Sequence, residues 1–276
     1  MPSKWRMGLT PWMDLLGGKG MGTDQQRIFL NAEMSILCYH SIEPGWQSPL
    51  AVPPKAFEEH CAWLNRHRTV IALEDGVEQL GGRQRLPRGK IALTFDDGFV
   101  GLYEHAFEIL LRYRIPATIF IVAQNISDPT RGVDWVDSPP RHPLRTLSLD
   151  QVLEMQRAGV AFGSHTYAHP DLTSLTRDEC RHDLASSKHV LEELLSRPIN
   201  FLAYPRGRHN RTVRETAKEV GFTHAFSLPE TREPVNPHAI PRIGIFHGNG
   251  CRTLRIKVSR RYLDLKTSRL FSSLRR

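Results

Sequence analysis

The stretch from Ile91 to Gly98 constrains this chain more than any other. It opens with an unbroken, mostly apolar run, which is typical of a strand buried on both faces of a parallel sheet. Asp96, Asp97 and Gly98 follow directly. Successive strand residues point to opposite faces, so both acids can serve one site only if the strand ends there, and Gly98 lets the backbone turn. An acid pair at a helix N-terminus is the alternative, but it explains one carboxylate better than two.

Strand-like and helix-like segments alternate about seven times from residue 35 to residue 245, with no shift of composition between them. At 276 residues the chain is long enough for a large core. The alternation predicts one parallel α/β domain, either a barrel or an open sheet. Chemically active residues follow several predicted strands, which favours a barrel with one mouth. These residues are His40, Asp96, Asp97, His165 and Tyr204.

The positive charge of the chain is concentrated at its end. Of a net charge of +8, the segment from Cys251 onward carries nine Lys or Arg residues and one acid. We therefore expect an N-terminal extension over 1–34, the domain over 35–250 and a basic tail over 251–276. Apolar residues interleaved with the basic ones fit an anionic membrane surface, and a solvated terminal helix is the alternative. No recognition motif accompanies the charge, so no nucleic-acid partner is expected.

The sequence gives little indication of export or of disulfide bonds. No apolar run reaches the ~18 residues that a membrane span needs, and the apolar run ending at Leu16 is too short for a signal-peptide core. These patterns favour a cytoplasmic protein, either free or peripheral at a membrane. The four cysteines are widely spaced and form no C-x-x-C pair, which indicates reduced, structural thiols.

Two histidines four residues apart, His165 and His169, suggest a metal site. In a helical turn, residues i and i+4 share a face and can bind one ion. The pair alone is a weak signal because the chain has 13 histidines. With Asp97 it forms a set of two imidazoles and one carboxylate, which suits catalytic zinc or non-haem iron. An iron-dependent oxygenase remains an alternative, although Asp96 would then have no evident task.

The sequences Thr94-Phe95-Asp96-Asp97-Gly98 and His165-Thr166-Tyr167-Ala168-His169, each placed after a strand, resemble two motifs of the polysaccharide deacetylase (NodB-homology) family of carbohydrate esterases. The resemblance extends from about residue 36 to residue 245. It implies a single-domain, distorted (β/α)7 TIM-like barrel. It also implies metal-dependent removal of an N-acetyl group from an amino sugar in a polysaccharide or lipid-linked glycan, with release of acetate.

The resemblance assigns roles to individual residues. It implies that Asp96 is the general base and that Asp97, His165 and His169 hold a divalent metal, foremost zinc, with cobalt, nickel or iron as alternatives. The chemistry suits an amide substrate, because such an ion polarises the carbonyl and acidifies a bound water. The expected partner is an N-acetylated glycan.

The segment Ala203-Tyr204-Pro205-Arg206-Gly207 resembles the third motif of the family, whose backbone donates a hydrogen bond to the oxyanion. The resemblance therefore assigns Tyr204, Pro205 and Arg206 to substrate and oxyanion binding. The usual motif begins with an arginine that pairs with the catalytic aspartate, and Ala203 stands in its place. Arg242 is the candidate replacement, and Arg206 is the other.

The segment from Leu37 to Ile42 resembles the Y-H-x-I motif of the circularly permuted poly-N-acetylglucosamine deacetylases, which assigns His40 as the general acid. His247 is the alternative, at the position usual in the rest of the family. Trp135 lies in a long polar loop and fits either a lip over the sugar or an anchor for the loop. A related amide hydrolase on a non-sugar substrate and a non-catalytic glycan-binding protein remain competing hypotheses.

Overall fold

The computed structural model describes residues 34–81, 89–137, 139–230, 236–259 and 262–268. The predicted N-terminal extension therefore lies outside the described residues, apart from Met34. The strands, in chain order, are β1 (Ser35–Tyr39), β2 (Ser41–Ile42), β3 (Ala51–Val52), β4 (Thr69–Val70), β5 (Lys90–Phe95), β6 (Ala117–Ile121), β7 (Ala161–Ser164), β8 (Phe201–Ala203), β9 (His224–Ser227), β10 (Ile240–Pro241) and β11 (Ile243–Gly244).

The helices are distributed between the strands, as in other α/β folds. They are α1 (Pro54–His67), α2 (Leu73–Gly81), α3 (Phe107–Tyr113), α4 (Ala123–Ser127), α5 (Leu149–Arg157), α6 (Arg177–Leu195), α7 (Arg211–Val220), α8 (Cys251–Lys257) and α9 (Tyr262–Lys266). A π-helical turn, Leu102–Ala106, leads into α3, and short 3-10 turns occupy Leu172–Ser174 and Pro205–Gly207. Capping boxes begin α5 at Ser148 and α6 at Thr176, where the sequence predicts them.

One parallel sheet organises the domain, with the strand order β10-β9-β8-β7-β6-β5-β1-β11 and with β4 against the start of β5. The two strands at its ends, β10 and β11, are separated in the chain by Arg242 alone. The sheet is therefore nearly closed into a barrel, and Arg242 lies at the seam. Taking β10 and β11 as one broken strand, the described sheet has the seven positions of the predicted (β/α)7 barrel. The predicted barrel fold is confirmed.

Alternate residues of the strands build two apolar clusters on opposite faces of the sheet. Leu37 and Leu93 pack in the larger cluster with the helices, whereas Ile36, Ala92 and Phe120 belong to a smaller one on the other face. Thr94 and Asp96 follow Ala92 at intervals of two, so they continue the smaller cluster's face toward the end of the strand. This face leads from an apolar base to the acidic end of β5.

The segment after residue 250 is only partly a tail. Leu254 of α8 and Val258 just after it belong to the large core cluster, and the Lys257 side chain is buried. Apolar residues in a basic sequence can be core residues when a helix packs one face against the body. The domain boundary expected at 250 therefore falls inside packed structure. Among the described helices, none is long and apolar enough to cross a membrane.

Candidate active site

Asp96 is a buried carboxylate held by a buried guanidinium. Nη1 of Arg242 donates to Oδ1 of Asp96, and Nη2 donates to Oδ2, each at 2.7 Å. Nη1 also lies 3.2 Å from the Thr94 hydroxyl oxygen. This two-point contact fixes the plane of the carboxylate and also stabilises its negative charge. The arginine at the seam thus occupies the role left open by Ala203, and Arg206 instead lies at the surface, 3.8 Å from Asp137.

The surroundings of Asp96 keep it ionised. Burial raises the pKa of this carboxyl, but the charge of Arg242, assisted by His165, outweighs burial and holds the pKa well below its usual range. The Cys38 thiol donates to Oδ2 at 3.3 Å. Oδ2 therefore accepts two hydrogen bonds and Oδ1 accepts one, so Oδ1 has more capacity for a further proton donor.

Asp97 is turned out of the strand by its own backbone. Its φ is 68° and that of Gly98 is 65°, so two consecutive residues are left-handed. A side chain at Gly98 would also meet Ile121, since a Cβ there would lie 2.7 Å from Cγ2 of that residue. The turn therefore begins one residue earlier than Gly98 alone would predict, and it brings both acids to the same rim.

His165 and His169 both face Asp97. Their Nε2 atoms lie 3.5 Å and 3.3 Å from Oδ1 of Asp97. The predicted helical turn is wrong, because Thr166 and His169 have left-handed φ values of 70° and 58° and the segment has no helix. The imidazoles converge through this irregular loop instead, with their ring centroids 5.0 Å apart.

The loop between β7 and α6 is held by specific hydrogen bonds. Nδ1–H of His165 donates to the Ala203 carbonyl at 2.9 Å, which leaves Nε2 as the nitrogen with a free lone pair. The buried Asp183 carboxylate of α6 accepts from the backbone N–H groups of Tyr167 and Ala168. The fixed tautomer and the anchored loop present His165 to Asp97 in one orientation.

Trp135 completes this half of the site. Its Nε1–H donates to Oδ1 of Asp97 at 3.1 Å, and its ring stacks on His169 with centroids 5.0 Å apart. Trp135 therefore contacts two of the three candidate metal ligands. This position is more specific than either the lip over the sugar or the loop anchor that the sequence suggests.

The residues Asp97, His165 and His169 fit a divalent metal ion. One ligand atom from each lies within 4.8 Å of those of the other two, and all three side chains are buried. Burial lowers the pKa of His165 to about 4, against the opposing charge of Asp96, so the imidazole is neutral as a ligand must be. Burial raises the pKa of Asp97, but the hydrogen bond with His169 and the electrostatic effect of the two nearby imidazoles outweigh burial, so the pKa of this carboxyl is lowered. Two imidazoles beside a carboxylate are a typical zinc donor set.

His40 lies close to Asp96. One of its ring nitrogens, the Cys38 sulfur and an Asp96 oxygen lie within 4.8 Å of one another. Its Nδ1 is buried and has no hydrogen-bond partner among the described residues, while its ring stacks on Phe246. The alternative, His247, donates through Nδ1–H to the Ala51 carbonyl at 3.0 Å, and no described contact links it to Asp96.

Some of the hydrogen-bond donors of the third motif are already used within the protein. The Tyr204 N–H already donates to the Phe226 carbonyl at 3.0 Å, and its hydroxyl donates to the His238 carbonyl. Pro205 has no N–H, so the expectation of an oxyanion donor at Tyr204 or Pro205 is wrong. The N–H of Arg206, a residue with φ of 57°, has no acceptor among the described residues and is the remaining candidate.

The sequence is similar to one family of known proteins. The sequence profile described as Polysaccharide deacetylase matches residues 83–225, which is more than half of the chain. The chain belongs to the polysaccharide deacetylase family. The matched region contains both acids, both histidines and the third motif.

Curated relatives align with most of this chain. The protein YxkH of Bacillus subtilis (strain 168), named after the same family, is 30% identical over 194 residues, covering 69% of this chain and 63% of its own. The poly-β-1,6-N-acetyl-D-glucosamine N-deacetylase of Staphylococcus epidermidis is 28% identical over 209 residues, covering 70% of this chain and 67% of its own. The chain thus spans less than two thirds of the length of YxkH.

Solved structures share the deacetylase fold. The Streptococcus pyogenes deacetylase PplD in complex with acetate superposes with a TM-score of 0.70 at 22% identity, covering 82% of this chain and 98% of that one. IcaB from Ammonifex degensii gives 0.68 at 22% identity, covering 82% and 96%. At this identity the likeness supports the barrel and not a particular substrate.

Proposed function

We propose that this protein is a metal-dependent deacetylase that hydrolyses the N-acetyl group of an amino sugar in a glycan and releases acetate. The observation that carries the proposal is the convergence of Asp97, His165 and His169 beside the Asp96–Arg242 pair, with a ring nitrogen of His40 close to Asp96. A ligand set, an ionised carboxylate and an imidazole around one point are what hydrolysis of an unreactive amide needs.

Each residue has a distinct task in this proposal. Asp97, His165 and His169 would hold a divalent ion, for which zinc is the first candidate, and that ion would polarise the acetyl carbonyl and lower the pKa of a bound water towards ~7. Asp96 accepts a proton from the attacking water through Oδ1, the oxygen that the Cys38 thiol leaves free. Its depressed pKa makes Asp96 a weak base, which accepts a proton more readily from an acidified water than from bulk water.

Collapse of the tetrahedral intermediate requires a proton on the departing amine, and His40 supplies it as the general acid. The Arg206 N–H stabilises the oxyanion during attack, in place of the occupied Tyr204 amide. The name of the staphylococcal relative makes β-1,6-linked N-acetylglucosamine oligomers the first substrate to test. A related amide hydrolase on a non-sugar substrate is separated by assaying simple acetamides beside these oligomers.

The test measures acetate release and metal content together. Asp96→Asn should retain the ion and lose at least about 100-fold in turnover, because only the base is removed. His165→Ala should lose both the ion and the activity, since one ligand is gone. His189→Ala, an exposed histidine on α6, is the matched control and should change neither. Full activity of the His165 variant would refute the metal assignment, and metal binding without turnover of any acetylated glycan would favour a binding protein.

We also propose that the basic C-terminal region contacts an anionic membrane. Ile256 and Leu265 are large apolar side chains that remain 58% and 61% exposed in a cationic segment. Co-sedimentation with anionic vesicles, and not with neutral ones, is expected. Loss of that binding in Ile256→Ser and Leu265→Ser would support it, whereas equal binding to both vesicle types or to neither would contradict it.

A further inference from the structure

Lys257 of α8 is a buried cation with a defined set of partners. Its Nζ donates to the Gly244 carbonyl at 2.7 Å and to Oδ1 of Asn249 at 2.6 Å. The same Asn249 oxygen accepts from the Phe246 N–H at 3.1 Å. The lysine therefore ties the end of β11, at Gly244, and the turn that follows it, at Asn249, to a helix of the basic C-terminal region. A surface-binding role does not require such desolvation of an ammonium group.

Phe246 is enclosed between Lys257 and His40. Nζ of Lys257 lies 5.1 Å from the centroid of the Phe246 ring, and the His40 ring stacks near-parallel on it, at a centroid distance of 6.3 Å and an interplanar angle of 28°. The space for the ring exists because residue 244 is glycine: a Cβ there would lie 2.4 Å from Cζ of Phe246. Gly244, Asn249 and Lys257 thus determine where the Phe246 ring is presented to His40.

This arrangement matters because His40 has little else to orient it. Its Nδ1 finds no hydrogen-bond partner among the described residues, whereas His165 has the Ala203 carbonyl. Phe246 is the ring that stacks on His40 among the described residues, so its position can limit rotation of the imidazole. An acid whose nitrogen is displaced by about 1 Å from the leaving group loses on the order of 100-fold in proton-transfer rate.

We infer that Lys257, acting through Phe246, is a positioning residue for His40 in protonation of the leaving amine. This inference rests on the proposed function, in which His40 is the general acid. It gives α8 a part in catalysis that is separate from any membrane contact. Neither Lys257 nor Phe246 touches the substrate in this view, so both act on the imidazole alone.

The test uses two substrates that differ in their need for an acid. Release of an amine from an N-acetyl group requires protonation, whereas 4-nitrophenolate leaves from 4-nitrophenyl acetate without it. Lys257→Met and Phe246→Ala should each lower kcat for the glycan amide about 10-fold to 100-fold while changing ester hydrolysis less than about threefold. His40→Asn should lower kcat for the amide further than these variants do while changing ester hydrolysis as little. Phe246→Tyr, which keeps the ring, should retain most of the amide activity that Phe246→Ala loses.

Lys188→Met is the matched control. Lys188 also donates to a buried carbonyl, that of Ile199, and also lies over a phenylalanine ring, that of Phe222, but on the α6 side of the domain. Its loss should lower stability without changing the ratio of amide to ester rates. Equal losses on both substrates in Lys257→Met and Phe246→Ala, with metal content retained, would refute the inference. Failure of the native protein to hydrolyse either substrate would instead refute the proposed function.

Discussion

Replacing Arg242 with methionine tests the buried ion pair at the seam of the barrel. Both partners are almost fully buried, with Asp96 2% exposed and Arg242 0%. Methionine retains an unbranched apolar stem near Phe120, over whose ring the guanidinium lies at 5.3 Å. The change therefore removes mainly the charge, and it leaves the Asp96 carboxylate with the Cys38 thiol as its described neutral donor. Removing one partner of a buried pair costs about 3–5 kcal/mol.

The loss should depend on pH with a definite sign. In the native protein burial raises the pKa of Asp96, but Arg242 outweighs it, so the folded-state pKa lies below the unfolded value of about 3.9. Stability from this group is present above that unfolded value and is lost only as pH falls through the lower, folded-state one. Without Arg242, burial dominates and the Asp96 pKa rises above the unfolded value. The variant's penalty is then largest near neutral pH and is relieved as pH falls through the raised pKa.

Urea unfolding of metal-free protein, followed by circular dichroism, measures the effect. Arg242→Met should lose about 3–5 kcal/mol near pH 7 and visibly less near pH 5. The double variant Asp96→Asn/Arg242→Met should be more stable than Arg242→Met alone, because no charge is left buried without a partner.

The matched control for this prediction is Arg112→Met. Arg112 pairs with Glu58 and Glu108 at the surface, where such pairs contribute up to about 1 kcal/mol. If Arg242→Met costs no more than Arg112→Met, or if its cost is the same at both pH values, the assigned role of the buried pair is wrong.

Three further predictions concern the metal side of the site. Trp135→Phe keeps the stack on His169 but loses the hydrogen bond to Asp97, so zinc affinity should fall about 10-fold in competition with a chelating indicator, and unchanged affinity would contradict the contact. Chelation with dipicolinate should abolish acetate release, and added zinc should restore it in the native protein but not in Asp96→Asn. Asp183→Asn weakens the anchor of the histidine loop and should lower zinc affinity while His189→Ala does not, and an equal effect of both would exclude a specific anchor.

Much of the fold could be predicted because its signals are local. Both capping boxes mark helix starts by the residues themselves, and β5, the strand that ends just before Asp96, is a mostly apolar, buried run. The last strand-like segment before residue 245 is instead broken at Arg242, because the interruption depends on where the sheet closes. No local pattern encodes that closure.

The candidate site was predictable where strand ends carry polar residues and less so where loops decide the geometry. The histidine pair predicted a helical turn, but left-handed residues at Thr166 and His169 produce the convergence without one. The wide cysteine spacing indicates a structural role for Cys38, although Cys38 on β1 lies two residues before His40, a spacing that in extended backbone places both side chains on the same face. Lys257 gave no signal at all, because its burial depends on how α8 packs.

The combination of Ala203 in the third motif and Arg242 at the seam explains how a family member can lack the third-motif arginine. Ala203 belongs to the same apolar cluster as Phe120, and the Arg242 guanidinium lies over that Phe120 ring. An arginine at both positions would bring two cations to one buried carboxylate, with one positive charge uncompensated in a dry interior. One guanidinium is therefore what the site requires, and in a nearly closed barrel it can come from the seam as well as from β8. The absence of the motif residue is then evidence for a relocated partner, not for a defective base.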